Sequence, residues 1–213
     1  MPSHRSRASR LALTALGALA LAACGTKESD TPAATGEAAA AQQPAAQPAA
    51  APAAPAPAAS QRPTIDPKNV AASIQYDAAT KTATIPVIAG LTSNAGGWNF
   101  NGYARGEMTI VVPVGTKVVM PFYNDDIVPH SVVIVTGSAS NVPSTPGDPV
   151  FSGAYSNNPI NGQMSGKKDD VRFTADKAGK YLMICGVPGH AASGMWVYFE
   201  VSATAKAPTV KIA

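Results

Sequence analysis

The 213-residue sequence predicts an all-β domain, a sandwich of seven to eight short strands with Greek-key connections behind a disordered tether. Three observations carry that expectation. Val, Ile, Tyr, Phe and Thr concentrate in short runs bounded by turn residues. Past the tether no segment sustains a helical period. The last run alternates, with Met195, Val197, Phe199 and Val201 on one side and Trp196, Tyr198 and Glu200 on the other.

The first 23 residues read as a signal peptide rather than as part of the fold. Arg5, Arg7 and Arg10 precede an apolar run from Leu11 to Leu21, which is shorter than the ~20 residues a spanning helix needs. The run ends Leu-Ala-Ala-Cys, which resembles the lipobox of bacterial lipoproteins, and this implies lipidation at Cys24 and anchoring to a membrane. Residues 24–62 are dominated by Ala, Pro and Gln, with too few large side chains for a core and a proline every few positions. They are expected to form a semi-extended tether, at most roughly 100 Å long at about 3.1 Å per residue. A single domain is expected over 63–204, with 205–213 as a C-terminal tail.

Processing alters the charge. Three of the 16 basic residues lie ahead of Cys24, so the mature chain balances its 13 acidic residues and carries no basic cluster for nucleic acid. Export implies an oxidising compartment. With Cys24 lipidated, Cys185 is left without a partner for a disulfide, an odd thiol in need of a reason.

Within the domain the runs follow in order. "ASIQYDAATKTATIPVIAG" holds two, folded about a hairpin at Asp77–Thr80, and "GGWNFNGYARG" reads as an extended segment closed by glycines. "EMTIVVPVGTKVVMPFYNDD" supplies two more, broken at Pro113-Val114-Gly115. "HSVVIVT", "DDVRFTA", "GKYLMICG" and "GMWVYFEVS" complete the set, with a long ordered loop expected between Gly137 and Lys168. Met108, Met120 and Met183 fall where core fillers are expected.

The chemistry concentrates in "CGVPGHAASGMW", where Cys185, His190 and Met195 stand five residues apart. Beyond the signal the only other histidine is His130, at the head of "HSVVIVT". Taken singly, each has an ordinary explanation as a core or surface residue. Together, two imidazoles, a thiolate and a thioether form the donor set of a trigonal copper site with a weak axial ligand. Zinc is a poorer match, because it favours Cys, His and carboxylate over thioether. Cys185 ends one run and Met195 begins the next, so one loop with glycine bends can present three donors.

An isolated histidine followed by Cys-x4-His-x4-Met resembles the small blue copper proteins, the cupredoxins. "CGVPGHAASGMW" with "FNGYARGEMTIVVPVGTKVVMPFYNDDIVPHS" is most similar to the sulfocyanin family, with the rusticyanins more distant. The likeness covers about residues 97–201 and not the tether. It implies a cupredoxin fold and a single type 1 copper ion held by His130, Cys185 and His190, with Met195 axial. It also implies that Ser131 ties the ligand loops together by hydrogen bonds. A one-electron carrier is implied, not an enzyme, monomeric and exchanging electrons with redox proteins such as c-type cytochromes or a terminal oxidase. In cupredoxins the loop histidine reaches the surface in an apolar patch, and Gly189, Ala191 and Ala192 flank His190 here. Val187, Pro188, Ala191, Ala192, Met195 and Trp196 surround the site with carbon, which implies a fairly high potential.

The rival readings separate on simple features. A copper enzyme needs a second centre built from histidines that the mature chain lacks, and a dinuclear carrier needs a second loop cysteine. A copper carrier or buffer in the periplasm would show exposed Met and His clusters, which are absent from the sequence. A structural domain with a coincidental motif would give no thiolate-to-copper colour.

Overall fold

Alternating apolar residues and turn signals do become strands. The structure is a computed structural model that describes residues 62–213, so the expected signal, Cys24 and all of the tether except Arg62 lie outside the described residues. The strands are β1 (Gln75–Asp77), β2 (Thr82–Thr84), β3 (Val87–Ala89), β4 (Met108–Pro113), β5 (Thr116–Asn124), β6 (Val133–Val135), β7 (Lys168–Ala175), β8 (Gly179–Ile184), β9 (Trp196–Ser202) and β10 (Thr209–Ile212). Among the described residues no helix is long and apolar enough to cross a membrane.

Two five-stranded sheets form the sandwich. In the first, β5 is central: β7 runs antiparallel along one side, while β2 and β3 follow one another in parallel along the other. The pairing Thr84↔Val119 continues as Val87↔Phe122 with unchanged offset, so β2 and β3 are one run. Pro86, which has no N–H to give the ladder, interrupts it. β1 and β2 form the expected antiparallel hairpin. The second sheet has the order β10-β4-β9-β8-β6. The break at Pro113-Val114-Gly115 falls as expected, but it is a corner between the sheets and not a hairpin. Thr116 Oγ1 fastens that corner by donating to the carbonyl of Pro113 at 2.7 Å.

The core follows from the alternation. Val118, Met120 and Phe122 of β5 and Val171 and Phe173 of β7 share one cluster with Ile110, Met183, Val197 and Phe199 of the other sheet. Met108, Met120 and Met183 are fully buried fillers, as their runs imply. A smaller cluster of Val133, Val135, Leu182, Ile184, Ala191 and Trp196 has Val142 of the long loop packed against it. That loop is ordered by backbone pairing with the β6 segment: Val150 N–H donates to Ile134, whose own N–H donates to Ala154, and Ser156 N–H donates to Val132.

Two expectations need correction. "GGWNFNGYARG" is not extended. A tight turn at Asn94–Gly97, with Ala95 and Gly96 at positive φ, leads into it, and narrow bridges follow at Phe100 and Tyr103. Buried asparagine side chains replace strand pairing there, with Asn101 Oδ1 accepting from Ile88 N–H at 2.7 Å and Asn99 Nδ2 donating to the carbonyl of Thr92 at 2.8 Å. Residues 205–213, expected as a tail, carry β10, which pairs antiparallel with β4 from Thr209↔Val111 to Ile212↔Met108. "TVKI" has a burial pattern that is mostly exposed, and it is held by its backbone pairing, by half-buried Val210 and by the exposed Lys211–Glu200 ion pair at 3.2 Å. A charged, polar-flanked stretch of that kind has little apolar signal.

Removing residues 205–213 should unpair the edge of β4 and cost about 2 kcal/mol, lowering Tm by roughly 4–8 °C in a domain of this size. Thermal melts of the truncated and full domains would check this. An unchanged Tm would make β10 dispensable.

Candidate metal centre

Two places in the chain meet at one end of the second sheet. β8 ends at Ile184, so Cys185 lies at its mouth, and Met195 stands just before β9. Cys185 N–H donates to the Met195 carbonyl at 3.0 Å, and Met195 N–H to the His190 carbonyl at 3.0 Å, which closes the loop into a compact turn. Gly194, at φ +115°, supplies a bend that a side chain would strain. Gly186 has a different reason: a Cβ there would sit 2.7 Å from the carbonyl oxygen of Pro159.

The second contribution comes from the segment between β5 and β6. His130 is fixed by two backbone hydrogen bonds with Gln163, at 3.1 and 2.6 Å, and its ring is fully buried. Ser131 joins the loops: its Oγ donates to the Pro159 carbonyl at 2.7 Å and accepts Gly186 N–H at 2.9 Å. Ser131 N–H points at Cys185 Sγ, 3.4 Å away.

These contacts bring Cys185 Sγ within 3.8 Å of His130 Nδ1 and 3.5 Å of His190 Nδ1, while the two Nδ1 atoms lie 3.2 Å apart. His130, Cys185 and His190 are the residues that form a metal-holding group among those described. A triangle with such sides has its centre about 2 Å from each corner, the length of a metal–nitrogen bond. Met195 is fully buried beside them, at the base of the loop. Cys185 is a free, buried cysteine.

The electrostatics without a metal are those of a neutral, dry site. Burial pushes the Cys185 thiol up, against the pull of the N–H groups of Ser131 and Val187. Burial, and then the neighbouring His130, push His190 down to about 4. Burial also lowers His130, opposed by Asp126. The two imidazoles resist gaining a proton and the thiol resists losing one, so the group is neutral without a metal and becomes the complement of one cation when that cation takes the place of the thiol proton.

Residues 69–212 match the sulfocyanin (SoxE) domain. The chain belongs to the sulfocyanin family. Sulfocyanin of Sulfolobus acidocaldarius is 32% identical over 143 residues, which is 62% of this chain and 70% of that one. Among solved structures, the blue copper protein auracyanin A of Chloroflexus aurantiacus has a TM-score of 0.41 at 24% identity, over 57% of this chain and 99% of its own. Reduced rusticyanin has a TM-score of 0.42 at 24% identity, over 57% and 77%. The multicopper oxidase mgLAC has 0.35 at 23%, over 49% and 31%. As a member of a blue copper family the chain takes copper as its cofactor, and the donor set here fits it: thiolate and thioether suit Cu(I), and imidazole suits both oxidation states.

Three residues at the site carried no signal of their role in the sequence. The Trp98 ring stands edge-on to His190, with centroids 4.0 Å apart and planes at 85°, and 5.8 Å from His130. Asp126 Oδ2 lies 3.2 Å from His130 Nε2. Gln163 supplies the backbone partners of His130. The surroundings of His190 also differ from expectation. Ala191 is buried in the smaller cluster, leaving Gly189 and Ala192 exposed beside it. Ile127, Val128, Ile160 and Met164, on the two loops that hold His130, are the exposed large apolar groups at this end.

The histidine shifts predict acid sensitivity of the metal-free protein. A pKa lowered on folding means the unfolded chain binds protons first. Stability is therefore full above about 6.5 and is lost as pH falls from there towards the folded value of about 4 for His190. Thermal melts of the metal-free protein between pH 7 and 4 should show Tm falling, with a smaller fall in His190→Ala. An equal fall in both would assign the acid sensitivity elsewhere.

Proposed function

We propose that the chain is a one-electron carrier that exchanges electrons between membrane-associated redox partners on the outer side of the cytoplasmic membrane. The observation that carries this is the trigonal meeting of Cys185, His130 and His190 inside a rigid, buried site. In this reading His130, Cys185 and His190 would hold the metal, with the Met195 thioether as a fourth, weaker ligand. Copper bound there would supply a Cu(II)/Cu(I) couple. What the chain supplies is a donor set that need not rearrange when the oxidation state changes.

Ser131 accounts for much of that rigidity. Its Oγ bridges Gly186 and Pro159, and its N–H donates towards the cysteine sulfur, which stabilises a thiolate. The half-buried His190 ring is the donor nearest to solvent, since the His130 ring and the side chains of Cys185 and Met195 are enclosed. On the loops that hold His130, the exposed Ile127, Val128, Ile160 and Met164 offer apolar surface of the kind that brief redox encounters use. The partners proposed are c-type cytochromes or a terminal oxidase, and lipid on Cys24 with the 24–62 tether would keep the monomer close to them.

Stopped-flow mixing of the reduced, copper-loaded protein with an oxidised c-type cytochrome should give rapid electron exchange. Copper should leave slowly during a chelation time course. Fast copper loss without redox cycling would favour a periplasmic copper carrier or buffer instead. Met195→Gln should keep the blue colour and lower the reduction potential. Loss of colour in that variant would make Met195 more than a weak axial ligand.

A further inference from the structure

Asp126 lies outside the ligand motif, in the turn after β5, yet it reaches the site more closely than any other acidic side chain among the described residues. Its two oxygens do different things. Oδ1 accepts Ile127 N–H at 2.6 Å, while Asp126 N–H donates to Asn124 Oδ1 at 2.9 Å, and these two contacts shape the turn. Oδ2 takes no part in the turn and lies 3.2 Å from Nε2 of the fully buried His130 ring. The turn itself is anchored: buried Asn124 donates from Nδ2 to the carbonyls of Val128 and Gln163, both at 2.7 Å.

Space has been left for this carboxylate. A Cβ on Gly97 would fall 2.6 Å from Asp126 Oδ2, and one on Gly90 would fall 2.6 Å from Asp126 Cβ. Its neighbour Asp125 is different, being bound by Arg62 at 2.6 Å at the surface. Among the described residues Asp126 has no Lys or Arg within ion-pair distance, and the imidazole within that distance is that of His130.

We propose that Asp126 is a positioning residue for the copper site, whose carboxylate fixes the His130 tautomer and biases the bound metal towards Cu(II). This role rests on the electron-carrier reading of the ligand set. A carboxylate accepts only, so Nε2 must carry the ring proton. Nδ1 is then left as a bare lone pair facing Cys185 Sγ and His190 Nδ1, the form in which imidazole binds a metal. The same negative charge, one imidazole ring from the metal position, makes His130 a stronger donor. With the thiolate counted, the site carries +1 with Cu(II) and no net charge with Cu(I), so a nearby anion favours the oxidised state. Asp126 therefore opposes the rise in potential that the apolar surroundings produce.

Asp126→Asn tests this, because its carbonyl oxygen can still accept Ile127 N–H and keep the turn, while the acceptor and charge at Oδ2 are gone. In the copper-loaded variant the ratio of Cu(II) to Cu(I) affinity should fall by about tenfold, the low end of the 10- to 100-fold typical of such partners. That corresponds to a potential raised by about 59 mV for a one-electron couple. Asp125→Asn removes the same formal charge one residue away and should leave the ratio within about twofold. In the native Cu(I) form, nitrogen-15 NMR should show His130 protonated at Nε2 with slow solvent exchange, a readout that does not depend on the variant folding. A blue variant with native potential overturns the role of Asp126 while leaving the copper reading intact. An Nε2 without its proton overturns it too, as does an equal shift from Asp125→Asn. A native protein that never turns blue on copper addition instead removes the reading on which the proposal rests.

Discussion

The structure depends on holding three electron-rich donors closer together than they would settle unaided. Two imidazole Nδ1 atoms 3.2 Å apart and a sulfur 3.5 and 3.8 Å from them present lone pairs to one point. Lone pairs gathered so closely repel unless a proton or a cation lies between them, so the surrounding fold must hold the arrangement. It does so with backbone. The Cys185–Met195 and Met195–His190 hydrogen bonds close the ligand loop, the paired bonds with Gln163 fix His130, and Ser131 Oγ stitches the two regions to Pro159. The sandwich supplies the base, since β8 and β9 are paired up to Ile184↔Trp196, the residues next to Cys185 and Met195.

This construction explains why the site sits at the end of the second sheet and not within it. Strand pairing fixes where a side chain points, but successive side chains alternate between faces. Converging donors therefore come from strand ends and the loops between them. The long segment after β6 contributes by folding back along it, which brings Pro159 and Gln163 to the ligand loops. Its abundance of Ser, Pro, Gly and Asn suits a wall that is ordered by backbone bonds and not by a core of its own.

Much of this was legible in the sequence, for physical reasons. Donor types are rare in this chain, and His130, Cys185, His190 and Met195 could be picked out because soft-metal chemistry needs those side chains whatever fold carries them. The alternation from Met195 to Val201 set the direction of the last long strand, and the burial of Val197, Phe199 and Val201 follows it. What stayed hidden depended on tertiary placement. Asp126 reads as an ordinary turn acid, and its relation to His130 exists only once Gly90 and Gly97 have opened a space. Trp98 belongs to a stretch that looked extended, and buried Asn99 and Asn101 redirect it towards His190 through side-chain hydrogen bonds that no periodicity reports. β10 was hidden because an edge strand with exposed side chains has little hydrophobic pattern to show.

The site as built requires that Cys185, held with two histidines, binds copper as a thiolate. The most direct measurement is an optical titration of the purified metal-free protein with Cu(II), alongside Cys185→Ser. An intense thiolate-to-copper charge-transfer band should appear, saturate at one equivalent and be missing from the variant. A colourless titration of the native protein, or the same band in Cys185→Ser, would contradict it.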